Sequence, residues 1–69
     1  MIQEKRIPKK YAAIACGEKC YRVMYSYSYE WKPEHQIMVF NNFEEADLIA
    51  KECAQGKHNC YEGLYINMR

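Results

Sequence analysis

The chain has little of what a catalytic or a nucleic-acid-dedicated protein is built from. Three glycines and two prolines are spread over 69 residues. The glycines stand apart from one another, so there is no Gly-rich loop to cradle a phosphate, and no metal-protease motif is present. With so few turn-permissive residues and so short a chain, there is little material for a concave substrate pocket. Charge of one sign is also lacking. Ten Lys/Arg face nine Asp/Glu, net +1, whereas nucleic-acid and membrane-surface proteins carry a clear basic excess. No apolar run approaches the roughly 18 residues a membrane span needs. The start, Met1 to Lys10, is positively charged but has no apolar stretch behind it, unlike a secretory signal. The expectation is a cytoplasmic protein with reduced thiols. Aliphatic residues are scarce as well: Leu, Ile, Val and Phe total 12.

What is there in their place is seven tyrosines, four methionines and four cysteines. With net charge near zero and 14% aromatic residues, the composition reads as a folded domain built on tyrosine rather than as a disordered chain. One domain fills this length. A core of this size supplies roughly 3–5 kcal/mol of net stability, so a metal, a disulfide or a partner subunit is worth looking for. Charge is uneven, net +3 over residues 1–35 and −2 over 36–69. Residues 1–10 read as a basic arm carrying Lys5, Arg6, Lys9 and Lys10, either a solvated tail or a contact for an acidic partner. Residues 11–69 read as a single domain.

Tyr11 to Cys16 and Cys20 to Trp31 are two apolar-rich runs joined by Gly17-Glu18-Lys19, a hairpin signal. The second run alternates almost strictly. Tyr21, Val23, Tyr25, Tyr27, Tyr29 and Trp31 share one side, and Arg22, Met24, Ser26, Ser28 and Glu30 the other. Pro33 sets a turn over Lys32 to His35. A third strand is expected over Gln36 to Phe40. The helix that begins at Phe43 has Asn42 as its cap, Glu45 as capping-box partner, acidic residues in its first turns and Gly56 as its stop. Phe43, Ala46, Ile49, Ala50 and Cys53 make its apolar stripe. A last strand is expected over Cys60 to Met68. The order β-β-β-α-β predicts an α+β fold, a two-layer sandwich of an antiparallel sheet with one helix packed on one face.

Pairing Cys16 with Cys20 across the turn places Ala15 opposite Tyr21, Ala13 opposite Val23 and Tyr11 opposite Tyr25. Small against large is the pattern of a face under a helix. The other face is expected to be more polar toward Ser26, Ser28 and Glu30. The register of the third strand is open: either Met38 and Phe40 or Ile37 and Val39 face the helix. A twelve-residue strand would span about 40 Å, against about 21 Å for the helix. Part of the row Tyr25, Tyr27, Tyr29 and Trp31 is therefore expected to lie uncovered, with Glu30 and Lys32 at its rim. The rings could fold over as a second small core with Met38 and Phe40. They could meet a protein partner or a second copy. They could also stack bases of a single strand, which needs a basic groove; only Lys32 and Arg22 are near, opposed by Glu30 and Glu34.

Four readings of the cysteines are open: a structural zinc held by Cys16, Cys20, Cys53 and Cys60 with His58; two local disulfides; free thiols packed as small hydrophobes; or Cys60 and His58 as nucleophile and base. The zinc spacing is unusual, and Cys53 belongs to the helix stripe while Cys16 and Cys20 face away from it. His58 and Cys60, two apart on a strand, project alike without facing a shared substrate. Glu44 and Glu45 point in different directions and form no acid/base pair. No enzyme, cofactor or small-molecule substrate is expected.

In element order, Tyr21 to Met68 resembles small phage and mobile-element proteins, among them phage-encoded inhibitors of bacterial RNA polymerase. In these an aromatic hairpin leads into a helix that starts like Phe43-Glu44-Glu45-Ala46, then into a closing strand. The resemblance implies a small inhibitor of a host or defence complex and carries over no functional residue. The expected function is non-enzymatic binding of a protein partner through the Tyr/Trp surface. The alternatives are a nucleic-acid-binding or zinc-stabilised module, and a structural subunit of a homo-oligomer.

Overall fold

The hairpin forms where alternation and turn chemistry agree. In the computed structural model, which describes residues 10–27 and 30–68, β1 is Lys10–Gly17 and β2 is Cys20–Ser26. They pair antiparallel with Tyr11 opposite Tyr25, Ala13 opposite Val23 and Ala15 opposite Tyr21, the expected register. The ladder shifts between Ala15 and Gly17, so that Gly17 and not Cys16 stands opposite Cys20. This extra residue is a β-bulge. Gly17 has φ +144° and Lys19 φ +51°; the first is a conformation open to a residue without Cβ. Lys10, placed in the basic arm by composition, opens β1 opposite Ser26. Lys5, Arg6 and Lys9 lie outside the described residues, as does Tyr29.

β2 is seven residues long, not the twelve that alternation predicts. The third strand, β3 (Gln36–Phe40), begins opposite Met24, and Lys10, the first described residue of β1, stands opposite Ser26. Among the described residues no strand pairs with β2 beyond Ser26, and alternation cannot extend a strand without a partner. The buried Ser26 hydroxyl then donates to the Glu30 carbonyl at 2.7 Å. A 3-10 turn over Pro33–His35 leads into β3, with the His35 N–H donating to Lys32 O at 2.9 Å. β3 pairs antiparallel with β2, Tyr21 opposite Phe40 and Val23 opposite Met38. Met38 and Phe40 thus face the helix and Val39 is exposed. Ile37 is the extra residue of a second bulge, which lets it pack on the core beside Met38.

The helix α1 spans Phe43–Ala54. Asn42 Oδ1 accepts the Glu45 N–H at 3.1 Å, the expected cap. At the other end the Gly56 N–H donates to Cys53 O at 2.9 Å and the Lys57 N–H to Glu52 O at 3.0 Å. These two bonds form a Schellman closure, and Gly56 takes the left-handed φ of +89° it needs. Ala46, Ala50, Cys53 and Ala54 are buried against Tyr11, Ala13 and Val23. Small side chains on both surfaces bring helix and sheet close, and the half-buried rings of Tyr21, Tyr25, Phe40 and Phe43 fill the flanks.

The α+β two-layer architecture stands, but the sheet is mixed. Its order is β3-β2-β1-β4, and β4, only Leu64–Tyr65 of the expected Cys60–Met68, runs parallel to β1. A helix that crosses over the sheet carries the chain back to the end where β3 began. β4 therefore runs in the direction of β3, which is also the direction of β1. The short strand is fastened by the Ile66 N–H to Tyr11 O at 2.8 Å, the Gly63 N–H to Ala54 O at 2.9 Å, and a hydrogen bond from the Tyr65 hydroxyl to Asp47. Burial first, then this bond, pushes the Tyr65 hydroxyl pKa up to about 12. On the sheet face away from the helix Ala12, Met24 and Ser26 are all buried; of the more polar end expected there Glu30 is exposed, and Ser28 lies outside the described residues. Among the described residues no helix is long and apolar enough to cross a membrane.

Candidate functional site

The end of β2 where pairing stops is also where its aromatic residues gather. Tyr25, on the helix face, stacks on the His35 ring with centroids 4.6 Å apart and planes 20° apart. Tyr27 meets both rings edge-on, at 5.6 Å from Tyr25 and 5.7 Å from His35. Pro33 brings this about by starting the 3-10 turn that ends on His35. His35 Nδ1 is buried with no hydrogen-bond partner.

Opposite this trio stands the loop after α1. His58 and Asn59 have φ of +57° and +62°, and the Cys60 N–H returns to Lys57 O at 3.0 Å. Asn and His are among the residues that tolerate this region. The turn lays Tyr61 over Tyr11, whose hydroxyl donates to Tyr61 O at 2.7 Å. Burial, then the nearby Cys60 and Cys53 thiols, pushes Tyr11 well above the ordinary tyrosine range. Between trio and loop lies an open cleft of about 280 Å³, lined by Tyr11, Tyr25, Tyr27, Ile37 and the loop from His58 to Tyr61. Its wall combines aromatic faces with a hydroxyl, an amide, an imidazole and a thiol. A wider groove of about 420 Å³ at the hairpin end is lined, among the described residues, by Ala13, Ile14, Ala15, Phe43 and Met68 and by the polar ring of Tyr21.

The expected aromatic row is divided. Tyr25 and Tyr27 are together on the helix side. Trp31 lies on the opposite face of the sheet with Pro33, beside Arg22 and Met24. No single surface therefore carries both Tyr25 and Trp31. Tyr25, Tyr27 and Trp31 are half-buried rather than uncovered. Glu30 and Lys32 remain at the surface, 3.8 Å apart and both well exposed, so their ion pair holds little. Tyr61 in the cleft wall and His35, which packs on Tyr25 and Tyr27, are residues that alternation does not point to. The sequence signals for them are turn chemistry: Pro33 two residues before His35, and Gly56 ahead of the His58-Asn59 pair.

The cysteines fit none of the uniform readings. Cys16 and Cys20 are joined in a disulfide across the bulged turn, their Cα atoms 5.2 Å apart, while Cys53 and Cys60 are free thiols. The bulge sets the Cα spacing within disulfide range. Cys16 lies with Trp31 and Met24 on the face away from the helix, and Cys53 lies under the helix, so the candidate zinc ligands are not brought to one point. Among the described residues no cluster of three or more His, Cys, Asp or Glu side chains is arranged to hold a metal ion. His58 Nε2 is 2.6 Å from Glu52 Oε1, and Cys60 Sγ faces the His58 carbonyl at 3.7 Å. The imidazole is thus engaged by a carboxylate. No family model, no curated protein and no solved structure matches the chain.

Proposed function

We propose that the protein is a small non-enzymatic binding module that takes a protein partner at the cleft between the Tyr25–Tyr27–His35 trio and Tyr61. The observation that carries this reading is the gathering of half-buried aromatic rings and unlike polar groups around one open cleft. Tyr side chains give a partner large contact area at small rotamer cost and offer a hydroxyl at the tip. The finer form of the reading is an inhibitor that works by occupying a surface of a host or defence complex.

The test compares proteins retained from host extract by the unaltered chain, by Tyr27→Ala, by Tyr61→Ala, and by Leu48→Ala, which removes an exposed apolar side chain from the helix. A partner retained by the first and the last, and reduced at least about tenfold by both tyrosine variants, supports the reading. Equal retention by all four sinks it.

A further inference from the structure

The end of α1 and the loop after it bring two free thiols together. Cys53 sits in the last turns of the helix, facing the sheet, and is fully buried. Cys60 is half-buried and opens onto the cleft. The path between them is fixed by the Gly56 closure, the left-handed pair His58-Asn59 and the bond from the Cys60 N–H to Lys57 O. Cys60 packs against the buried cluster that holds Cys53 and Tyr11, near enough to raise the pKa of both. They differ in access. An external reagent meets Cys60 at the cleft wall, while Cys53 lies behind it in the core. Burial and the neighbouring Cys60 also push the Cys53 thiol up to about 12, so it remains protonated near neutral pH.

We propose that Cys60 is a modification site for low-molecular-weight disulfides, with Cys53 as the resolving thiol that closes a second intramolecular disulfide. Cys60, its proton lost to solvent, attacks one sulfur of the reagent RSSR. The reagent's S–S bond breaks, a Cys60–S–S–R bond forms and one RS⁻ leaves. Cys53, its proton passing to the solvent, then attacks the Cys60 sulfur. A Cys53–Cys60 bond forms and the second RS⁻ leaves. Two protein thiols are oxidised, one external disulfide is reduced to two RSH, and the protons balance. The first step uses the accessible sulfur. The second uses a free thiol of the buried cluster on which Cys60 already packs, and the raised Cys53 value makes it the slower step.

The test incubates the whole protein with oxidised glutathione at mildly alkaline pH and tracks the intact mass without reductant. The expected course is a single glutathione adduct that maps to Cys60. It then converts to a species lighter than the starting protein by two hydrogens, linked Cys53–Cys60, with Cys16–Cys20 intact. In Cys53→Ala the adduct accumulates at Cys60 and does not convert. In Cys60→Ser, a change at the cleft wall that keeps the core, Cys53 stays unmodified while the chain is folded. Alkylation of the native protein by iodoacetamide should be faster at Cys60 than at Cys53 by roughly tenfold or more. An adduct that appears first on Cys53 overturns the proposal. So does a native protein whose Cys60 resists glutathione while the urea-unfolded chain reacts, an adduct that never converts in the unaltered protein, or a new link to Cys16 or Cys20.

Discussion

The two ends of β2 carry the same residue type and are finished in different ways. At the hairpin end Tyr21 stands opposite Ala15 and meets Phe43 of the helix edge-on at 5.7 Å. At the far end Tyr25 stands opposite another large ring, Tyr11, and stacks on His35 from a 3-10 turn. One ring is closed by the first residue of a capped, cooperative helix; the other is closed by a turn and a loop. A tyrosine opposite alanine fills the place of an aliphatic side chain. At the far end Tyr11 is fully buried, and the half-buried Tyr25 and Tyr27 form the cleft wall beside it. The scarcity of Leu and Val is thus made good at one end and becomes a surface at the other.

The sharpest way to break this comparison is Tyr11, the fully buried ring beneath the far end. Tyr11→Ala should cost about 3–5 kcal/mol, as large-to-small changes of buried aromatics do, and leave the chain largely unfolded. A urea midpoint close to that of the unaltered protein would mean that the core lies elsewhere. The next test crosses the two ends. Tyr21→Ala should lower stability by about 2 kcal/mol and leave the cleft's binding intact in the molecules that fold. Tyr27→Ala should change stability by less than about 1 kcal/mol and weaken partner binding by about 2 kcal/mol. Calorimetry of both variants in both assays decides, and equal losses at the two ends would erase the distinction.

Asn42→Ala probes the closure of the hairpin end through the cap on Glu45 and should cost about 1 kcal/mol by thermal unfolding. The smallest effect near neutrality is that of pH. Cys53 and Tyr65 have folded values near 12 against ordinary values of 9.0 and 10.0, and Tyr11 is raised further. A raised folded value means that the native state holds its proton longer than the unfolded chain. Stability is therefore complete below about 9, then falls as pH rises toward 12. Urea midpoints across that window should decline, and Cys53→Ala should flatten the first part of the decline. A midpoint that rises with pH would contradict the burial of these groups.

Much of the fold is legible in the sequence because it is written in local periods. The two-residue alternation of Tyr21, Val23 and Tyr25 against Ala15, Ala13 and Tyr11 predicts the hairpin register that the structure has. Asn42, the stripe through Ala46, Ala50 and Cys53, and Gly56 locate the helix and both its ends. The site is less legible. Tyr25 and Tyr27 are in it, but Trp31 is on the other face, and Tyr61 in the cleft wall and His35 behind Tyr25 are set by turns whose geometry alternation does not report. Pattern alone makes Cys60 a strand residue, and the structure makes it the end of a left-handed turn, packed on the buried cluster that holds Cys53.

The sequence by itself determined the hairpin, the capped helix and the pairing of small with large side chains between them. Those features depend on residues within a few positions of one another or directly opposite across a tight turn. Tertiary structure decided where β2 stops, which way β4 runs, how the aromatic row divides and which thiols are left free. A strand lasts only while a neighbour supplies its hydrogen bonds. A crossover helix fixes the direction of the strand after it. A bulge at one position sets whether two cysteines come within bonding reach. Each of these depends on contacts that the fold assembles, which no local pattern carries.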